Sequence, residues 1–274
     1  MLPLSNIHTH TTFADGKNPA EDMVQAALAL GFHTLGFSEH GYADYDDAAM
    51  PAEVEPAYRA EILRLKEKYR DRIHILLGYE HDWLSPIDFS PYEYAIESVH
   101  YLKGGAVCVD HSRQRLEADI REYYAGDPYA LCRDYFCTVS ESCEKSPAQV
   151  AGHIDLVTKF NERRDLFDDE DPRFLRYALE CAETAAKSGK VVEVNTGAIA
   201  RGYRTQPYPG PAMLRRVKEA GGRVMLSSDC HNADFLTCGF EDAAALLKRC
   251  GFKTAWMMQG NEWVEYALEG TTKN

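Results

Sequence analysis

The chain has 274 residues, 45% of them hydrophobic, enough to bury a sizeable core in one α/β barrel or two smaller domains. Its 43 acidic residues outweigh 30 basic ones to give a formal net charge of −13, which disfavours general affinity for nucleic-acid phosphates or anionic membrane surfaces. With no apolar run of about 18 residues to span a bilayer and no basic, apolar secretory signal at its start, a cytoplasmic protein is expected.

Short apolar runs alternate with longer segments of helical period, the pattern of repeated β-α units on a parallel sheet. The first strand is predicted over Ser5–Thr9. Asn18-Pro19 then opens a helix with a cap residue and an early Pro, and its stripe of Met23, Ala26, Ala27 and Leu30 stops at Gly31. His33–Ser38 reads as the second strand, running into Glu39-His40, and Glu53–Arg70 as an amphipathic outer helix. Ile73–Leu77 is apolar throughout, as a buried parallel strand must be, and leads into Gly78-Tyr79-Glu80-His81-Asp82. Tyr94–Val99 is the fourth strand and ends at His100.

Residues 103–147 form an excursion, helical in its second half and without obvious chemistry, whose expected role is to shape substrate access. Val150–Ile154 is the fifth strand and brings in His153, and a helix runs from Asp171-Pro172 to Ser188-Gly189. The sixth strand, Val191–Asn195, leads to a loop holding Arg201, Tyr203 and Arg204. After a helix over Pro211–Ala220, the seventh strand, Arg223–Ser227, finishes in Ser228-Asp229-Cys230-His231. A last helix, Asp242–Cys250, precedes Thr254–Met258, an eighth strand or an edge element. No repeat or linker interrupts the chain, so a single domain over residues 1–274 is expected.

Side chains two apart on a strand share a face, so His8 and His10 project together, and five residues let Asp15 return beside them. A His-x-His pair alone is common in sheets that pack against polar groups. Here six of the ten histidines, His8, His10, His40, His100, His153 and His231, fall at the C-terminal end of a predicted strand or just beyond. Asp15, Glu80 and Asp229 join them at the edge where parallel α/β folds bind ligands. Imidazole nitrogen and carboxylate oxygen suit Zn, Fe or Mn, and a polynuclear metal site follows. His33 and His74 lie at strand starts on the opposite rim, His111 lies in the excursion, and alternation turns His81 away from Glu80 and Cys230 away from His231. The eight cysteines are scattered without close pairing, as expected of free thiols.

His8-Thr9-His10 with Asp15-Gly16, Ser38-Glu39-His40, Gly78-Tyr79-Glu80, Ser98-Val99-His100, Gly152-His153-Ile154-Asp155 and Ser228-Asp229-Cys230-His231 together resemble the successive motifs of the PHP (polymerase and histidinol phosphatase) superfamily. The likeness spans about residues 6–232, and Ser98-Val99-His100-Tyr101 with the long segment before His153 is similar to the histidinol-phosphatase branch. The resemblance implies a distorted (βα)7 barrel, like a TIM barrel, with a trinuclear centre at the C-terminal ends of its strands. One metal would take His8, His10 and Asp229, a second His100 and His153, with Glu80 bridging the two, and a third Asp15, His40 and His231. Asn6 and Glu39 stand where the family often has Asp, outside the ligand set.

Three divalent ions less three carboxylates leave a surplus of about three positive charges, suited to a phosphomonoester dianion. Glu80, Asp229 and His231 are the candidate catalytic residues, and Arg201 and Lys159, on the sixth and fifth loops, are candidate phosphate-binding cations. The resemblance implies hydrolysis of L-histidinol phosphate in histidine biosynthesis. The enzyme alternative is a PHP phosphoesterase acting on nucleotides or oligonucleotide ends, although no basic, aromatic-lined track for a polymer is visible. The non-enzyme alternative is a module that binds metal for structure or interaction. Oligomeric state cannot be read from the chain.

Overall fold

The computed structural model describes residues 4–268. In chain order its strands are β1 (Ser5–Asn6), β2 (Thr34–Phe37), β3 (His74–Asp82), β4 (Tyr94–Ser98), β5 (Tyr101–Leu102), β6 (Val107–Cys108), β7 (Val150–Ala151), β8 (Val191–Asn195), β9 (Arg223–Ser227), β10 (Thr254–Gln259) and β11 (Glu262–Ala267). The α-helices are α1 (Ala20–Ala29), α2 (Glu55–Lys68), α3 (Arg113–Tyr123), α4 (Pro128–Lys145), α5 (Pro172–Lys187), α6 (Gly197–Ala200), α7 (Pro211–Glu219) and α8 (Phe240–Arg249). No described helix is long and apolar enough to cross a membrane.

The strands β1, β2, β3, β4, β7, β8 and β9 follow one another in parallel register around a curled sheet. The curl is closed at its C-terminal mouth by a single bridge between Thr9 and Cys230, where the His10 amide donates to the Cys230 carbonyl at 2.9 Å and the Cys230 amide to the His8 carbonyl at 3.0 Å. This is the distorted (βα)7 barrel. The first strand stops at Asn6, short of the expected Thr9, because the His8 amide donates to the Asn6 side chain at 3.1 Å and not to a neighbouring strand. Asn6 also donates to Ser228 Oγ at 2.7 Å, so the residue that departs from the family pattern ties the first strand to the last loop of the barrel.

The opposite mouth is filled by a hairpin. β10 continues the sheet in parallel beside β9, and β11 turns back antiparallel as its edge. The hairpin turn docks under the barrel, with the Gly260 amide donating to Thr34 Oγ1 at 3.0 Å and His74 Nε2 3.0 Å from Asn261 Oδ1. Met258 and Trp256 from the hairpin join Ile7, Leu76, Ile96 and Met225 in one apolar cluster. Tyr94 fills the space above, its hydroxyl donating to the carbonyls of Ile7 at 2.5 Å and Phe37 at 3.0 Å. Gly78 makes room for it, since a Cβ there would stand 2.1 Å from the Tyr94 ring.

Two helical layers cover the outside. α1 and α2 pack on β2 and β3 around Met23, Tyr58 and Ile62, and α4, α5, α7 and α8 form a larger layer around Tyr135, Phe136, Cys181 and Leu247. Caps set several helix starts: Asp127 and Asp171 accept from amides in the first turns of α4 and α5, each followed by Pro, as Ser112 does for α3. Asn18 does not cap α1. Its carboxamide accepts from the Ala233 amide at 3.0 Å, and the helix begins at Ala20 without a side-chain cap. All eight cysteines are free thiols.

Candidate metal centre

Each of the nine ligand-type residues foreseen from the sequence reaches the same mouth. Glu80 lies at their centre, fully buried in its side chain. Its Oε2 is 3.2 Å from His8 Nε2, 3.4 Å from His10 Nε2 and 3.0 Å from His40 Nδ1. Its Oε1 faces the other way, 3.0 Å from His153 Nε2 and 3.5 Å from His100 Nε2. Asp229 Oδ1 is 3.3 Å from His10 Nε2 and 3.6 Å from His8 Nε2. Asp15 closes the outer side, 3.1 Å from His231 Nε2 and 3.8 Å from His40 Nε2.

Among the described residues, four groups bring their ligand atoms within 4.8 Å of one another: His10 with Asp15, His40 and His231; His8 with His10 and Asp229; His8 with Glu80 and His153; and His40 with Glu80 and His100. The second of these is the set expected for one metal, and the first contains another. His100 and His153 do not form a group by themselves; they meet through Glu80, and His40 lies closer to Glu80 than the expected partition places it. The chemistry fits cations. His8 Nε2, both ring nitrogens of His10 and Glu80 Oε2 are buried without a hydrogen-bond partner, an arrangement too costly to keep unless positive charge meets those atoms.

The electrostatics agree. Burial, followed by the neighbouring His231 and His40, pushes the His10 imidazole down to about 3, so it is a neutral donor. Burial works to raise the carboxyls of Glu80 and Asp229, yet surrounding positive groups, His8 and His40 around Glu80 and Arg201 and His8 around Asp229, hold both well below their ordinary range. Asp229 has φ of 43°, in the left-handed region that non-glycine residues rarely occupy, which marks a backbone held in place by its surroundings.

Carboxylates that the sequence reading left without a role support these donors. Glu193, on β8, brings Oε1 to 2.5 Å from His8 Nδ1 and accepts from Ser227 Oγ at 2.6 Å, while Oε2 accepts from the His153 amide at 2.8 Å. Asp82 lies 3.4 Å from His100 Nδ1 and accepts that residue's amide at 2.8 Å. Such contacts fix which ring nitrogen is left to ligate. The available signal was a charged residue in the middle of an otherwise apolar strand, Val191-Val192-Glu193-Val194.

Arg201 reaches the centre, with Nη2 donating to Asp229 Oδ2 and Nη1 beside His231 Nδ1, each at 2.9 Å. Gly197 leaves the space for this pair, because a Cβ there would stand 2.9 Å from Asp229 and 3.0 Å from Arg201. Lys159 is not a solvated surface charge: it is buried, donates to the Asp110 carbonyl at 2.8 Å, and its ammonium lies 5.5 Å and 5.1 Å from the ring centres of Phe160 and Tyr203. Asp110 belongs to the excursion, which therefore contributes a charged group to the rim. The other histidines stay outside the cluster, His81 bonding to Glu97 and the Ser85 carbonyl, and Cys230 turning to the outer apolar layer.

The profile of the PHP domain matches residues 6–197, and the chain belongs to that family. It is similar over most of its length to two proteins named "Probable histidinol-phosphatase". One, from Schizosaccharomyces pombe, is 26% identical over 289 residues, covering 94% of this chain and 90% of the relative. The other, from Deinococcus radiodurans, is 29% identical over 269 residues, covering 93% and 96%. Among solved structures, the fold is similar to that of a histidinol phosphate phosphatase from Lactococcus lactis, solved with zinc, L-histidinol and phosphate (TM-score 0.68, 23% identity, 95% of this chain and 98% of that one). It is also similar to a candidate histidinol phosphatase from Listeria monocytogenes (TM-score 0.76, 21% identity, 87% and 99%).

Proposed function

We propose that this chain is a metal-dependent histidinol-phosphate phosphatase, which hydrolyses L-histidinol phosphate to L-histidinol and inorganic phosphate in cytoplasmic histidine biosynthesis. The observation that carries the reading is the placement of Glu80, whose two oxygens face separate groups of imidazoles as a bridging carboxylate must. Full-length similarity to relatives named for this activity supports the choice of substrate.

In this reading His8, His10 and Asp229 hold one ion, His100 and His153 a second, with Glu80 shared between them, and Asp15, His40 and His231 a third. When bound, three divalent ions, Zn, Fe or Mn, supply Lewis acidity and a water whose pKa falls toward about 7. Glu193 and Asp82 hold the rings of His8 and His100 in their ligating orientation. Arg201 and Lys159 fix the phosphoryl oxygens by charge, which matters because the transition state of phosphoryl transfer spreads charge over those oxygens. Asp229 and His231, both beside Arg201, line the corner where the leaving alkoxide would form; Asp229 is held ionised, so the proton would come from a water that these two residues are placed to orient or relay.

The test is phosphate release by purified, metal-replete protein from L-histidinol phosphate, AMP and p-nitrophenyl phosphate, with elemental analysis of the same preparation. The expected result is a clear preference in kcat/KM for histidinol phosphate. Good turnover of the other esters with none of histidinol phosphate overturns the assignment.

A further inference from the structure

Beside the barrel mouth, between the N-terminal ends of α5 and α7, lies a cavity of about 480 Å³, within the size range of small-molecule sites. Its apolar side is made by Phe174, Leu175, Ala178 and Met213. Its charged side is largely paired: Arg164 lies 2.9 Å from both Asp169 and Glu170, and Arg204 lies 3.1 Å from Glu162. Two groups make no direct ion pair, although Arg204 stands near enough to Asp155 to favour its charged form. Asp155, 3% exposed, lines the cavity with Oδ1 lacking any partner, and Arg215 lines it without an ion pair among the described residues.

Both groups meet α7, Asp155 at its start and Arg215 about one turn further on. Asp155 Oδ2 accepts from the Gly210 amide at 2.8 Å, directly before α7, and the first turn of α7 has no side-chain cap, so its amides are open to an acceptor. A buried carboxylate oxygen without a donor calls for an ammonium, and an uncapped helix N-terminus near an arginine calls for a carboxylate. Both demands, in one cavity beside an apolar wall, are met by one chemical class. We infer that this cavity binds a free α-amino acid with an apolar or aromatic side chain, its ammonium on Asp155 and its carboxylate on the start of α7 and Arg215.

The cavity is separate from the metal cluster. Asp155 follows His153 by two residues in the segment after β7, and none of the nine candidate ligands lines the cavity. The proposal therefore does not depend on which phosphate ester the mouth hydrolyses.

Calorimetric titration of the full-length, metal-loaded protein with L-leucine, L-phenylalanine, L-histidine and glycine tests it. Saturable binding is expected for at least one of the three larger amino acids, weaker for glycine, and absent for the N-acetyl and amide derivatives of the best binder. Arg215→Glu, a change on the exposed side of α7, is expected to weaken that binding about tenfold, because it puts an anion where the carboxylate would dock. Asp155→Asn keeps the acceptor for Gly210 while removing the charge, and is expected to do the same with a far-ultraviolet spectrum like that of the parent. Absence of heat with every amino acid overturns the inference. So does binding that survives both substitutions, or binding displaced by inorganic phosphate, which would place the ligand at the metal mouth.

Discussion

At one end of β3, Leu76 is buried in an apolar cluster with Met258 and Trp256 of the terminal hairpin; four residues on, Glu80 of the same strand is buried among five imidazoles. The first arrangement is self-sufficient, since apolar side chains gain by leaving water and ask nothing further of their neighbours. The second is not. Glu80, Asp229 and Glu193 are carboxylates removed from water, and buried charge is costly unless it is paired and hydrogen-bonded. The contrast separates what holds the barrel together from what it is built to hold, and substitutions at the two ends should fail in different ways.

Glu80→Ala should have the largest effect. It removes the carboxylate proposed to be shared between two ions, and the loss of several kcal/mol of charge stabilisation corresponds to at least about a thousandfold in phosphatase turnover. Metal content, by elemental analysis, should fall with it. A variant that keeps its metals and its activity would remove Glu80 from the shared position, whereas a parent protein that binds metal and turns over no phosphate ester would favour a structural metal-binding module over an enzyme. Glu193→Gln probes the same end more gently: removing the carboxylate behind His8 should weaken metal affinity roughly 10- to 100-fold, visible as a higher zinc requirement and recovered activity in excess zinc. An unchanged zinc requirement would show that Glu193 serves only the packing of β8.

The other mouth should respond in stability alone. Met258→Ala, 5% exposed in the hairpin plug, should cost about 2–5 kcal/mol in chemical denaturation, through lost burial and the cavity left behind. Metal content and KM should stay at the parental values. If metal content falls as well, the two ends are coupled through Tyr94, which stands between them.

How legible each end was follows from the range of the interactions that build it. The gathering of these side chains at one mouth could be read because strand polarity delivers one or two side chains per β-α unit to a common edge, so His8, Glu80, His153 and Asp229 are each placed by a local pattern. The closure of the barrel through a single Thr9–Cys230 bridge, and the seating of β10 under it, depend on pairings more than 200 residues apart that no local period encodes. The shortened first strand is of the same kind: Asn6 turns its side chain to His8 and Ser228, a choice made by the tertiary neighbour and not by propensity. Glu193 was in plain view, but only the fold shows that it faces His8.

The smallest effect, and the one that joins the two ends, is the pH dependence of stability without metal. Burial works against protonation of His100, but Asp82 and Glu80 outweigh it and raise this imidazole from 6.5 to about 9. A raised imidazole contributes stability that is fully present below its unfolded value and lost as pH rises through the folded one. Glu39 acts in the same direction. Burial raises it from 4.5 to about 8, so the native state keeps a proton that the unfolded chain has released, and stability falls as pH climbs through that window. Metal-free protein should therefore lose a few degrees in Tm between pH 6.5 and 9, with the apolar plug, which carries no such charge, keeping the barrel folded. If His100 ligates an ion as proposed, metal-loaded protein should hold it neutral, and its contribution should no longer titrate there. The gap between the two Tm curves should widen with pH. Parallel curves would mean that the proton on His100 and the metal do not compete, and would remove His100 from the ligand set.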